Sequence, residues 1–227
     1  MTGFPRFTPV ADHAVLVEFA ESISDSAHGQ VLALDRALNA SPPPGFRESV
    51  PAFVNLLVDF DPLVSDHAAV SAALRHLLTR TEGSAPTPAL REVEICYDPP
   101  LSPDLETVAD RTGLSPEAVI AAHLAGDYQV FLYGFAPGYA YLAGVPEALR
   151  LDRKPAPVRG ISAGSVIIAG AQCLITTLVM PTGWWIIGRS PTKVLTEDSA
   201  RPFLFDVGDR VRFRRIRRED YERRAHG

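Results

Sequence analysis

What this chain of 227 residues lacks narrows its chemistry before any motif is considered. It has two cysteines, Cys96 and Cys173, far apart and outside any C-x-x-C pair, which excludes a disulfide framework and a cysteine zinc site; both read as buried, reduced thiols. Its histidines, His13, His28, His67, His76, His123 and His226, are scattered without ligand spacing, and no H-E-x-x-H or carboxylate cluster accompanies them, so no structural metal is expected. No run approaches the roughly 20 apolar residues that a bilayer span needs. The start, MTGFPRFTPV, lacks the early positive charge and apolar core of a signal peptide, so a cytoplasmic protein is expected. A net charge of -5 leaves no general surplus of cations for a nucleic-acid face. With no G-x-x-x-x-G-K-[ST] loop, any nucleotide has to be held without a P-loop.

What is present is 46% hydrophobic content in short punctuated segments. HAVLVEF, from His13 to Phe19, is a strand by its β-branched and apolar content. Ala27, Val31, Leu34 and Leu38 then recur at helical spacing from about Asp25, and SPPPGF stops that helix. Strands around Arg47 to Pro51 and Val54 to Phe60 follow. A second helix, capped by Ser65 or Asp66, turns Val70, Ala73, Leu74, Leu77 and Leu78 inward. The order β-α-β-β-α predicts a small α+β domain over about residues 1–88, with both helices on one face of an antiparallel sheet. TEGSAPTPAL, Thr81 to Leu90, reads as a linker, and VEICYD, Val93 to Asp98, either completes this unit or begins the next.

The remainder, about 89–218, opens with two short helices written in one grammar. Ser102-Pro103-Asp104 and Ser115-Pro116-Glu117 each offer a capping serine, a proline at the first helical position and an acid in the first turn, while Gly113 and Gly126 end the helices. After Gly126 the segments YQVFLYGF, SVIIAG, CLITTLVM, WWIIG, TKVLT and RVRFRRI, parted by Gly, Pro or Asp, predict a β-sandwich or barrel. The run from Arg210 to Asp220 reads as a last, solvated edge strand with its arginines on the wet side, passing into a charged tail over 219–227.

Gly160-Ile161-Ser162-Ala163-Gly164 fits the letters of a nucleophile elbow, but a strand and not a helix follows it, so Ser162 is not read as a nucleophile. A pocket is the better reading of YGFAPGYAYLAGVP, residues 133–146. Pro137-Gly138 fits the centre of a type II turn, and alternation along an extended segment puts Tyr139 and Tyr141 on one side. Phe135 belongs to the same loop. Arg159, Ser165, Gln172, Trp184 and Arg189 each stand beside a glycine or proline turn, and aromatics with a few polar groups are what a small-molecule site needs, arginine gripping a carboxylate or phosphate.

HLAGDYQVFLYGFAPGYAYLAGVPEAL, PVRGISAGSVIIAGAQ, PTGWWIIGRSP and DVGDRVRF, in that order, resemble the allophanate hydrolase subunit 1 family, which includes KipI and the B subunits of bacterial 5-oxoprolinases. The N-terminal ADHAVLVEFAESIS, the ALDRAL helix and the strand ending VDFDPL fit as well, so the resemblance covers nearly the whole chain. It implies an N-terminal α+β domain followed by a cyclophilin-like β-barrel. It further implies a separate or fused partner, a carboxyltransferase-like second subunit. With a further subunit, the 5-oxoprolinase complex uses ATP, with Mg2+, as co-substrate to open a lactam to glutamate, a reaction in which phosphorylation of the carbonyl oxygen creates a better electrophile. Such chemistry needs positive charge and placed hydrogen bonds more than a nucleophilic side chain.

On this resemblance Phe135, Pro137, Gly138, Tyr139, Tyr141 and Leu142 fall on the GF-x-PG-aromatic-x-YL motif. Arg159, Gly164 and Ser165 fall on R-x-x-x-AGS, Gln172 on the glutamine of QTG, and Trp184, Gly188 and Arg189 on GGW-x-x-IGR. His123 falls on a histidine preceding the Y-x-V strand. None of these identifies a general base; Asp127, Glu147 and Asp152 flank the aromatic loop as ordinary turn carboxylates. Two glycines of the pattern, in QTG and in SPGGW, are replaced by Leu174 and Thr182, which is expected to stiffen the site's rim. No Met-Lys-Met biotin-attachment motif is present, so biotin is not expected on this chain. The resemblance leaves two other functions open: an allophanate- or urea-processing subunit, and a regulator that binds a sensor histidine kinase.

Overall fold

The computed structural model describes residues 3–80 and 88–225. Contacts divide the chain into two units, Met1–Thr87 and Pro88–Gly227. Residues 81–87 of the expected linker lie outside the described residues.

The first unit is built from β1 (Arg6–Val10), β2 (Ala14–Glu18), α1 (Asp25–Ala40), β3 (Phe46–Pro51), β4 (Asn55–Phe60) and α2 (His67–Arg80). Its sheet is antiparallel in the order β1-β2-β4-β3. Strand β1 is absent from the sequence reading, because Pro9 and a largely exposed face hide the alternation; an edge is where a strand proline is tolerated. Val15, Val17, Leu56, Val58 and Phe60 form one sheet face and pack against Val31, Leu34 and Leu38 of α1 and Val70 and Leu74 of α2. Ser24 caps α1, its hydroxyl accepting the Ala27 N–H at 3.2 Å, and Asp66 is the cap of α2, accepting the Ala69 N–H at 2.8 Å.

The second unit contains β5 (Leu90–Ile95), α3 (Leu105–Thr112), α4 (Pro116–Leu124), β6 (Tyr128–Tyr133), β7 (Ala140–Ala143), β8 (Val158–Ile161), β9 (Ser165–Ala169), β10 (Gln172–Ile175), β11 (Met180–Thr182), β12 (Trp185–Arg189), β13 (Arg210–Arg215) and α5 (Arg218–Ala225). Seven strands run in the order β12-β9-β10-β7-β6-β13-β5. A bridge from Cys96 to Arg189, with backbone bonds of 2.8 and 2.9 Å in the two directions, joins the outermost strands and nearly closes a barrel. The segment VEICYD therefore belongs to this second unit, with β5 parallel to β13.

Period-2 alternation sorts the barrel residues. Val166, Ile168, Cys173, Ile175, Trp185, Ile187, Val211 and Phe213 join the interior cluster with Val108 and Val119 of α3 and α4. Ile167, Ala169, Leu174 and Ile186 face the other way and are covered by Ile161 and Met180 of the small β8–β11 sheet. Burial on both faces is why SVIIA reads as an unbroken apolar run.

Three sequence expectations are corrected. Strand β13 is not an edge, since it pairs with both β6 and β5; its arginines lie on a wet outer face and meet Glu92, Glu94, Glu117 and Asp127. The charged segment after it, expected as an irregular tail, is helical over Arg218–Ala225 as α5. Ser115 caps α4 as expected, with Ala118 N–H at 3.2 Å, but Ser102 does not cap α3: its hydroxyl donates to Tyr97 O at 2.5 Å, and α3 starts after Asp104. Gly126 lies beyond the α4 cap residue Ala125, and a Cβ there would lie 2.5 Å from the Tyr128 ring.

Candidate functional site

The loop between β6 and β7 turns twice. Phe135, at φ 69°, is the centre of a γ-turn in which Ala136 N–H donates to Gly134 O at 2.9 Å, a conformation rarely accepted by a side-chain-bearing residue. Tyr139 N–H then donates to Ala136 O at 3.1 Å across Pro137 and Gly138, with Gly138 at φ 74°: the expected type II turn. The Thr177 hydroxyl donates to Pro137 O at 2.6 Å and ties this loop to the β10–β11 connection.

Beyond the turn, Tyr139 and Tyr141 project from the outer face of the barrel, the same side, as alternation requires. With Phe135, Trp184, Arg153 and Thr182 they line a cavity of about 140 Å³. The Tyr141 and Trp184 rings meet edge to face at 5.9 Å and 71°, and Phe135 and Tyr139 lie 5.7 Å apart. Tyr139 is 4% exposed, whereas Phe135 is 73% exposed at the mouth. Burial raises the pKa of both tyrosines, so at neutral pH their hydroxyls are protonated and able to donate. The Arg153 guanidinium sits 5.7 Å from the Trp184 ring centroid and has no carboxylate partner among the described residues. Among the described residues no Asp or Glu lines this cavity. The arrangement can hold a small planar solute between aromatic walls, donate hydrogen bonds to its oxygens and attract a negative charge; it contains no evident base or activated nucleophile.

Support comes from a pair that sequence reasoning misses. Lys154 Nζ lies 2.5 Å from Asp104 Oδ2, and the same oxygen accepts the Ile186 N–H at 2.6 Å. Lys154 N–H also donates to Gly183 O at 2.7 Å. These bonds fix the segment carrying Arg153 against the wall carrying Trp184. The LDRK charges just before PAPVRG are the available signal for Arg153 and Lys154; Asp104 looks like an ordinary first-turn acid.

The remaining expected residues do not converge here. Arg159 is exposed on β8 and does not line the cavity. Ser165 and Arg189 pair across β9 and β12 at one barrel end. The Ser165 hydroxyl donates to Ser162 O at 2.8 Å, and Ser162 precedes a strand, as expected. Gln172 opens β10 opposite Ala169 and Ala143, about 13 Å of strand from Thr176 at that same barrel end. His123 is inside the barrel: its Nδ1 is 2.7 Å from the Tyr97 hydroxyl, its ring packs 4.6 Å from Phe213, and burial lowers its pKa to about 3. Cys173, wholly buried as expected, lies beside it with 3.6 Å between Sγ and Nε2, and Leu174, at the lost glycine, lines the aromatic cavity. Thr182 is at the cavity wall, where its hydroxyl accepts the Trp184 N–H at 3.1 Å and supplies the turn's rigidity.

Residues 5–205 match the family model described as carboxyltransferase domain, subdomain C and D. The chain is 34% identical over 235 aligned positions to the 5-oxoprolinase B subunit of Bacillus subtilis (strain 168), covering 97% of each. It superposes on the crystal structure of TTHA0988 with a TM-score of 0.79 and 37% identity, covering 91% of this chain and 40% of that longer one. The Kluyveromyces lactis urea amidolyase shares the fold at a TM-score of 0.78 with 14% identity, over 95% of this chain and 15% of that one.

Proposed function

Because the chain belongs to the carboxyltransferase domain, subdomain C and D family, we propose that it is the B-type subunit of a 5-oxoprolinase, opening the lactam 5-oxo-L-proline to L-glutamate together with a carboxyltransferase-like partner subunit. The observation that carries this reading is the cavity of Tyr139, Tyr141 and Trp184 with Arg153 at its side. Its volume suits a small lactam. Its walls match a flat amide ring, its phenols can donate to the amide carbonyl, and Arg153 can pair with the ring's carboxylate.

The same geometry supports dependence on a partner. A resonance-stabilised lactam needs activation, and this cavity offers binding and orientation without a base, so the water-activating group comes from elsewhere in the complex. ATP with Mg2+ is the proposed co-substrate, yet a cavity of about 140 Å³ without carboxylates suits neither a nucleoside triphosphate nor its metal. The nucleotide is therefore assigned no place in this cavity.

The test is reconstitution of the chain with its carboxyltransferase-like and further subunits, ATP, Mg2+ and 5-oxoproline. Glutamate and lactam-dependent phosphate are expected in stoichiometric amounts. Absence of both overturns the proposal, and turnover of urea or allophanate in their place reassigns the substrate.

A further inference from the structure

A second concavity, lined by Thr177 among others, differs in chemistry from the aromatic cavity. It measures about 380 Å³ and is bounded by Gly164 before β9, the connection after β12 and one side of α5. A Cβ on Gly164 would lie 2.5 Å from Ser190 O, and Ser190 N–H donates to Gly164 O at 2.8 Å, so the floor is held at backbone contact distance.

The hydroxyls around it are not equivalent. Those of Thr176 and Thr177 already donate to Ser162 O and Pro137 O. Ser190, 4% exposed, accepts the Thr192 N–H at 3.1 Å, and its own O–H donates to no acceptor among the described residues. Thr192 and Lys193 both line the concavity, and neither the Thr192 hydroxyl nor the Lys193 ammonium has an acceptor among the described residues. Arg189 stands alongside, its Cγ 3.6 Å from the position a Cβ on Gly164 would take, with its Nε buried and without a hydrogen-bond partner. Among the described residues no carboxylate lines the space, and on α5 Asp220 and Glu222 are paired with Arg223 and Arg218.

We propose that this concavity is a binding site for a phosphate-class oxyanion, held by Lys193, Ser190 and Thr192, with Arg189 beside its floor. Unspent donors and a lysine at a solvent-open space that no described carboxylate lines are what an anion with several oxygens satisfies, and lysine serves phosphate as a point charge. The volume exceeds what inorganic phosphate fills and favours a polyphosphate or a phosphorylated small molecule. This site does not depend on the lactam reading.

The experiment is calorimetric titration of the full chain, without partner subunits, with inorganic phosphate, tripolyphosphate and ATP. Saturable binding of tripolyphosphate is expected, weakened roughly tenfold or more in Lys193→Ala and in Thr192→Val and largely retained in Lys193→Arg. ATP binding more tightly than tripolyphosphate marks the ligand as a nucleotide; equal affinity marks the phosphate chain alone. No saturable binding of any of the three, or binding unchanged in both Lys193→Ala and Thr192→Val, overturns the proposal, whatever the reconstituted complex does with 5-oxoproline.

Discussion

Asp104 and Lys154 meet at 2.5 Å, with side chains 18% and 8% exposed, and the oxygen that receives Lys154 also receives the Ile186 backbone N–H. One carboxylate thus joins the start of α3, the chain before β8 and the wall strand β12. Removing one member of such a pair leaves the other charge poorly solvated. Asp104→Leu is expected to cost about 3 kcal/mol in urea unfolding, and Lys154→Met a similar amount, whereas the two changes combined should cost less than the two single changes summed. Strict additivity would show that the pair carries no coupling.

The cavity makes a sharper demand on side chains than on the fold. Tyr139 is nearly buried, so truncating it would disturb packing as well as binding; Tyr141 and Arg153 are more accessible and separate the two effects. In the reconstituted complex, Arg153→Gln is expected to raise KM for 5-oxoproline about tenfold or more with little change in unfolding midpoint. Tyr141→Ala should lower kcat/KM by at least a similar factor, and Tyr141→Phe should recover the part due to the ring. Unaltered kinetics in both Arg153→Gln and Tyr141→Ala would remove the cavity from the mechanism.

These tyrosines are legible in the sequence because their cue is local. Alternation along β7 and a Pro-Gly pair at a turn need only neighbouring residues, and the structure places both as expected. Long-range events are hidden. The Cys96–Arg189 bridge that nearly closes the barrel joins segments far apart in sequence, and the arginines of β13 give the appearance of an edge because exposure of one face reads like exposure of a strand's hydrogen bonds. Asp104 reads as an acid serving its own helix, yet it serves β12. Gln172 and Arg159 stand beside turns in the sequence, but strand register carries them away from the aromatic cavity.

Gly138 ties the loop to its surroundings through two separate requirements. Its φ of 74° disfavours any side chain, and an added Cβ would stand 2.8 Å from Leu195 Cδ2 and 2.9 Å from Thr177 Cγ2. Gly138→Ala is expected to destabilise the chain by about 1–3 kcal/mol, seen as a lower urea midpoint at unchanged m-value. Gly170, at φ 54° with nothing near its Cβ, separates the terms: Gly170→Ala bears the backbone cost alone and should be milder. Equal losses at the two positions would mean that contact with Leu195 and Thr177 contributes nothing.

His123 supplies a pH dependence whose sign follows from its burial. The ring is enclosed among Tyr97, Tyr128, Phe213 and Cys173, with no carboxylate or cation against it among the described residues, and burial lowers its pKa to about 3 from an ordinary 6.5. The unfolded chain therefore binds a proton below pH 6.5 that the folded chain refuses. Stability from this group is fully present above pH 6.5 and is lost as the pH falls toward 3, at a slope of up to about 1.4 kcal/mol per pH unit. Urea unfolding of the wild type and of His123→Gln at pH 7.5, 5.5 and 4.5 isolates the contribution, because both carry the same carboxylates. His123→Gln should be less stable at pH 7.5, having lost the ring's packing, and its stability should fall less steeply between pH 5.5 and 4.5. Parallel profiles would mean that the imidazole gains its proton without unfolding the barrel, which the enclosed Tyr97–His123–Cys173 arrangement forbids.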